Sequence, residues 1–244
     1  MAAVDESALL GVLEQGLDQP AYRRALLLLG FAYPDVESAR LLAMPIGQRD
    51  RHLLLLREQL FGSQMECTLD CPGCGETLEF SCAVSDLCVD PLPEPGELLE
   101  LAHGEVAVRY RLPNSTDLES ALAAGDDADG QTLMLERCIH QVTRGDRDVT
   151  GKPLPVAVQT AIFEDMERAD PQGNMELDMT CPDCERRWQS PFDIVAYLWA
   201  ELETWGQRLL GDIHVLAASY GWTEAEVLAV NPWRRRHYLE RINQ

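Results

Sequence analysis

With 244 residues the chain is long enough to bury one large core or two smaller ones. Forty-one acidic residues against 20 basic ones leave a formal charge of −21, a field that repels a phosphate backbone unless a basic patch stands well apart. No apolar run approaches the length that spans a bilayer, and the opening MAAVDESALL lacks the basic and apolar stretches of a signal peptide. The expected setting is the cytoplasm, where thiols stay reduced and paired cysteines favour metal over disulfide.

Residues 1–63 have the period of helices. Leu9, Leu10, Val12, Leu13 and Leu17 make one apolar face, with Asp5 and Ser7 as capping candidates. Pro20 opens a second helix carrying Leu26, Leu27 and Leu29, and Asp35 is placed to cap a short third one that ends before Pro45. A fourth follows Ile46-Gly47 with Leu53, Leu54, Leu56, Leu60 and Phe61 as its buried stripe. Arg49, Arg51 and Arg57 are expected on its solvated face.

Residues 64–85 hold a cysteine turn and an alternating strand, Thr77–Ala83, with Leu78, Phe80 and Cys82 on one side. Residues 86–172 open with the stiff Pro91, Pro93, Pro95 linker. Strands Leu98–Ala102 and Val106–Leu112 follow, joined at His103-Gly104. A capping box of Thr116 and Glu119 is expected to start a helix through Leu118 and Leu122. Gly125–Gly130 is expected as an acidic loop; Asp126, Asp127 and Asp129 evoke a calcium loop, but the other oxygens of an EF-hand are missing. A helix through Leu133, Leu135, Cys138, Ile139 and Val142, a polar loop over Arg144–Pro155 and a helix over Val156–Arg168 complete this part.

Residues 173–190 hold a strand and a second cysteine turn. In residues 191–244, Ser190-Pro191 is expected to start a long helix. Ile194, Leu198, Leu202, Trp205, Leu209, Ile213, Leu216 and Tyr220 recur along it at steps of four and three, and Gly221 is placed to stop it. His214 on that helix is read as partner-facing or as a satisfied core residue. A capping box of Thr223 and Glu226 and the pair Asn231-Pro232 mark two short helices behind it.

The chemistry lies in a stretch written twice. MECTLDCPGCGETLEF begins at Met65 and MELDMTCPDCERRWQS at Met175, so that Cys71 and Cys74 answer to Cys181 and Cys184. Two thiolates on each tight turn make four sulfur ligands for one tetrahedral zinc, Zn2+, with no open position for catalysis. One Cys-Pro-x-Cys alone would also suit a redox pair, but such pairs open a helix, and strand-like residues precede both of these. Cys67 and Cys82 are close enough in sequence to compete as ligands, while Cys88 and Cys138 suit small core positions. The histidines are scattered, and no nucleophile or phosphate-loop pattern appears, so no enzyme is indicated. The resulting fold class is α+β, mostly helical, with a split zinc ribbon at its centre. Trp222, Trp233, Arg234, Arg235, Arg236 and Tyr238 form a candidate partner-binding tip, since Trp and Arg are favoured interface anchors.

Several stretches together resemble one family: Ile46-Gly47-Gln48-Arg49 to Leu60-Phe61-Gly62 before the first Cys-Pro-x-Cys, Tyr110-Arg111-Leu112-Pro113 to Asp117-Leu118, and Cys181-Pro182-x-Cys184 to Ser190-Pro191-Phe192-Asp193-Ile194. The ending, His214-x-Leu216-Ala217 to Tyr220-Gly221-Trp222 and then Arg234-Arg235-Arg236-x-Tyr238-Leu239, belongs with them. They are similar to the baseplate hub assembly proteins, or chaperones, of T-even-type contractile phage tails and related contractile injection systems. The resemblance implies a non-enzymatic role, as an assembly factor that leaves or a component retained in the tail-like particle. Its partners would be hub, spike or wedge proteins. The rival reading is a zinc-ribbon nucleic-acid-binding regulator using the basic cluster at Arg234–Arg236, His237 and Arg241; the overall charge argues against it.

Overall fold

Apolar residues at helical spacing draw four helices together in the first quarter of the chain: α1 (Glu6–Gly16), α2 (Ala21–Ala32), α3 (Ser38–Ala43) and α4 (Ile46–Phe61). The structure, a computed structural model, describes residues 5–125 and 127–242. Asp5 caps α1 by accepting from the N–H groups of Ser7 and Ala8. Asp35 caps nothing: α3 begins behind Glu37 with no side-chain cap.

These helices pack on the first half of α8 (Ile194–Tyr220), a helix of 27 residues. The approach of α1 is close. Gly16 lies under the Trp199 ring and Gly206 under Leu13, and a Cβ at either glycine would overlap that side chain. The Arg24 guanidinium covers the Trp199 ring at 4.6 Å. Leu28, Leu29, Leu53, Leu54, Leu198 and Leu202 fill the core between. Asp193, not Ser190, caps α8, accepting from the N–H groups of Val195 and Ala196. Ser190 and Pro191 instead end a strand, because the Phe192 N–H still bonds the Met175 carbonyl and prolongs the pairing.

The solvated face expected for the arginines of α4 is corrected by the structure. Arg49 and Arg57 are only 6% and 3% exposed. Arg57 follows Leu53 by four residues and Leu54 by three, which puts it on the buried side. Its guanidinium donates to both Glu201 carboxylate oxygens of α8, at 2.8 and 2.6 Å, and to the carbonyls of Gly62 and Gln64. One side chain thereby ties the end of α4 to α8 and to the strand that follows.

A second core forms between residues 98 and 169. The strands β3 (Leu98–His103), β4 (Val106–Arg111), β5 (Ile139–Arg144) and β6 (Arg147–Asp148) pair antiparallel in chain order. Both β3 and β4 and their turn follow the sequence expectation. The helices α5 (Ser115–Ala123), α6 (Asp127–Cys138) and α7 (Val156–Ala169) accompany the sheet, and Val108, Tyr110, Val142, Leu135 and Ile162 pack together. Three expectations change here. The helix expected to reach Val142 ends at Cys138, because Ile139–Arg144 finds ladder partners on β4. Asn114 with Asp117, rather than Thr116 with Glu119, makes the capping box of α5, and Glu119 instead accepts from Tyr22 and Arg23 of α2. Helix α6 already begins inside the supposed acidic loop; Asp126 lies outside the described residues, as do the side chains of Asp127 and Asp129.

This lobe joins the first core along α4. The Ile46 N–H donates to the Pro113 carbonyl at 3.1 Å, and the Gly47 N–H donates to the Asp170 carboxylate at 2.9 Å. A Cβ at Gly47 would overlap that carboxylate and lie 2.7 Å from the Gly173 backbone nitrogen, so only glycine fits. Nearby, burial pushes the Asp50 carboxyl up to about 6, with Arg49 opposing and Asp193 and Asp170 adding to the rise.

At the far end, Gly221 stops α8 with φ of 68° and its N–H on the Ala217 carbonyl. Thr223 and Glu226 cap α9 (Glu224–Ala229) reciprocally, as their spacing predicts, and Asn231 accepts from the Trp233 N–H at the start of α10 (Pro232–Ile242). Leu10, Leu209, Ile213, Leu216 and Val227 form a third, smaller core there. No helix among the described residues is long and apolar enough to cross a membrane.

Candidate metal centre

Each half of the doubled stretch folds into a hairpin. Strands β1 (Gln64–Asp70) and β2 (Thr77–Ala83) pair antiparallel up to Asp70 opposite Thr77, and β7 (Glu176–Thr180) and β8 (Arg187–Pro191) up to Thr180 opposite Arg187. The six residues left at each tip are Cys71–Glu76 and Cys181–Arg186. Their backbones match. The Cys71 N–H bonds the Glu76 carbonyl and the Gly75 N–H the Cys71 carbonyl; the Cys181 N–H bonds the Arg186 carbonyl and the Glu185 N–H the Cys181 carbonyl. The turn needs a left-handed residue after the second cysteine. Gly75 fills that position at φ 77°, and Glu185 occupies it at φ 56°, the one non-glycine residue with positive φ among the described residues.

The tips meet. The sulfurs of Cys71, Cys74, Cys181 and Cys184 all lie within 4.8 Å of one another. Cys71 to Cys184 and Cys74 to Cys181 are each 3.6 Å apart. A tetrahedron of sulfurs about 2.3 Å from a central ion has edges of about 3.8 Å, so this donor set fits a metal of zinc's size and preference. Gly73 makes the approach possible: a Cβ there would lie 2.8 Å from the Arg186 side chain and 3.3 Å from the Cys184 sulfur.

The four thiols share one electrostatic problem. At Cys71 burial pushes the thiol up, but the N–H groups of Cys74 and Gly73 and the facing thiols of Cys184 and Cys181 outweigh it and bring it down to about 6. At Cys74 the Glu76 backbone pulls down, while burial and the other three thiols push it up to about 12. One thiolate forms readily; neighbouring negative charge then disfavours the next. A divalent cation coordinated by all four would remove that conflict.

The other cysteines are outside this group. Cys67 lies in the first core, where burial, with Cys82 adding to it, pushes its thiol up to about 11. Cys138 is buried in the second core, and Cys88 packs against the first. Each Cys-Pro-x-Cys closes a hairpin rather than opening a helix, which removes the structural setting of a redox pair.

The expected C-terminal tip divides. Trp233 is 66% exposed, with Arg234, Arg236 and His237 exposed beside it. Trp222 and Tyr238 are half-buried in an aromatic cluster with Tyr220. Arg235 does not belong to the exposed face. It is 5% exposed and donates to both Glu6 carboxylate oxygens at 2.8 Å, locking α10 onto α1. His214 is exposed, so the core alternative for it falls away. Sequence reasoning missed Arg57 and Arg235 as internal struts. The signal was present for both: Arg57 keeps step with Leu53 and Leu54, and Arg235 with Leu239 and Ile242.

The family model described as T4 bacteriophage base plate protein matches residues 5–198. The chain belongs to that family. The match takes in both cysteine hairpins and ends at Leu198, inside the first half of α8. No curated protein and no solved structure matches the baseplate chain. Family membership implies contacts with other baseplate proteins.

Proposed function

We propose that this baseplate-family chain is a non-enzymatic component or assembly factor of a contractile tail, working through protein contacts and clasped by a structural Zn2+. The observation that carries the reading is the meeting of four cysteine sulfurs from two hairpins more than a hundred residues apart, within the span matched by the family. Zinc at Cys71, Cys74, Cys181 and Cys184 is the centre of a split ribbon. It closes a loop whose closure is otherwise entropically costly, and it sets how the N-terminal helices face α8. Assembly takes place in the cytoplasm, with hub, spike or wedge proteins as partners. Exposed Trp233, Arg234 and Arg236, with half-buried Trp222 and Tyr238 beside them, form one docking face. Against a nucleic-acid-binding role stand the charge of −21 and the loss of Arg235 from the basic cluster to an internal ion pair.

Two measurements test this. Elemental analysis of purified protein should find one zinc per chain, and none when Cys71 and Cys181 are both replaced by serine. Deleting the gene from a producing strain should stop baseplates from maturing, with the protein itself restoring them. Mass spectrometry of finished particles then separates a retained component from a factor that leaves. Normal baseplates without the protein would overturn the reading.

A further inference from the structure

Among the described residues, the outer face of α8 is left without a covering helix over about three turns. Tyr197, Ala200, Glu201, Thr204, Trp205 and Arg208 follow one another at steps of three, one, three, one and three, so they share one side of the helix. A cavity of about 470 Å³ lies over these residues beside Phe61. A second, of about 1000 Å³, lies between the start of α1, Phe61, Trp205, Leu228 and Pro232. Phe61 and Trp205 line both, so the two form one groove from the β1 side of α8 to the foot of α10. The floor is apolar, and Ala200 and Thr204, both exposed, are small enough for another backbone to come close.

The charge of the groove differs from that of the chain. Its acidic groups are mostly engaged: Glu6 holds Arg235, Glu201 holds Arg57, and Asp5 caps α1. Arg208 stands on one wall and Arg234 on the other, and neither has an ion-pair or hydrogen-bond partner among the described residues. In a molecule of −21, two cations without a carboxylate partner among the described residues thus flank this apolar floor. Beside them are two carboxylates without a cation partner among those residues, Asp5 at the α1 cap and Glu66 at the other end.

We propose that this groove receives an amphipathic helix of another baseplate protein, with apolar residues at helical spacing on its inner side and Asp or Glu on its flanks to meet Arg208 and Arg234. The apolar stripe packs over Phe61 and Trp205, and the small residues of α8 set the distance between the helices. The two arginines fix its direction by pairing with carboxylates at either edge. The groove opens at Arg234 onto the exposed tip of α10, so one partner can engage both. This inference rests on the proposed role in baseplate assembly.

The test places a benzophenone amino acid at exposed Thr204 in the full chain, co-expressed with the structural genes of its own tail, and maps the photo-cross-linked peptide by mass spectrometry. A second probe at exposed Val156, outside the groove, is the control. The expected product joins position 204 to an acidic segment of a different tail protein with helical apolar spacing. The double variant Arg208→Glu with Arg234→Glu should lower its yield about tenfold or more, while Arg40→Glu with Arg144→Glu leaves it unchanged; circular dichroism and the melting midpoint check that both variants are folded. Cross-links only to copies of this chain, to a basic segment, or none while tail proteins still co-purify would overturn the groove and leave the proposed function standing. Loss of all association with tail proteins would instead remove the proposed function.

Discussion

The cysteine hairpins and the lobe between them are both built on short antiparallel strands, but different forces hold them. In the lobe, Val108, Tyr110 and Val142 of the sheet are buried against Ile162 of α7 and Leu135 of α6. That is an ordinary apolar core. In the second hairpin, β7 and β8 alternate between exposed and half-buried residues, with none fully buried. A two-stranded hairpin of that kind is marginal by itself. The first hairpin is anchored by Met65 and Cys67, buried in the first core, and the two hairpins share four sulfurs within 4.8 Å of one another at their joined tips. Where a sheet is too small to bury much surface, a metal held by the four sulfurs would add what apolar burial does not supply, and such a joint would depend on a ligand.

Metal removal should break this comparison most visibly. Stripping the metal with a chelator, or replacing Cys181 with Ser, should lower the melting midpoint by about 10–20 °C. Hydrogen exchange should rise across residues 64–83 and 175–191 while residues 106–111 and 156–169 keep their protection. An unchanged midpoint would mean that the hairpins support themselves. The converse experiment is Ile162→Ala, which opens a cavity where the side chain has no solvent exposure. It should cost about 3 kcal/mol in chemical denaturation and leave the metal content unaltered.

Gly47→Ala addresses the joint between the two systems. Its new Cβ meets the Asp170 carboxylate and the Gly173 backbone, neither of which yields easily, and about 2 kcal/mol of stability should go. Metal stoichiometry should hold, and faster exchange should concentrate at residues 45–50 and 170–173. The smallest effect concerns the two hairpins themselves. Glu185→Gly relieves a left-handed residue at φ 56° and should add about 0.5–1 kcal/mol, judged by thermal melts with metal bound. A loss of stability there would show that the Glu185 side chain has a role that the turn does not require.

Much of this was legible from residues alone where the signal is local. The doubled Met-Glu and Cys-Pro-x-Cys pattern located the four ligand candidates, because a shared spacing encodes a shared turn. The α8 seam and the Thr223–Glu226 cap depend on contacts three and four residues apart, which a linear reading can see. Errors arose where a partner lies far along the chain. Ile139–Arg144 has a helix-compatible pattern and becomes a strand only because β4 offers it a ladder. Arg57 and Arg235 look like surface arginines until Glu201 and Glu6 are brought against them from 144 and 229 residues away. Glu119 looks like a capping residue until α2 presents Tyr22 and Arg23.

Short-range causes are thus enough for the amphipathic helices, their caps, and two matching turns that hold thiols in pairs. Packing between distant segments brings the two pairs face to face, makes Arg57 and Arg235 struts rather than surface, and leaves one face of α8 uncovered between Phe61 and Leu228. The physical reason is the same throughout. A turn or a helix is fixed by neighbours that the chain cannot avoid, whereas a buried charge or an open groove depends on which distant segments arrive, and in what order they pack.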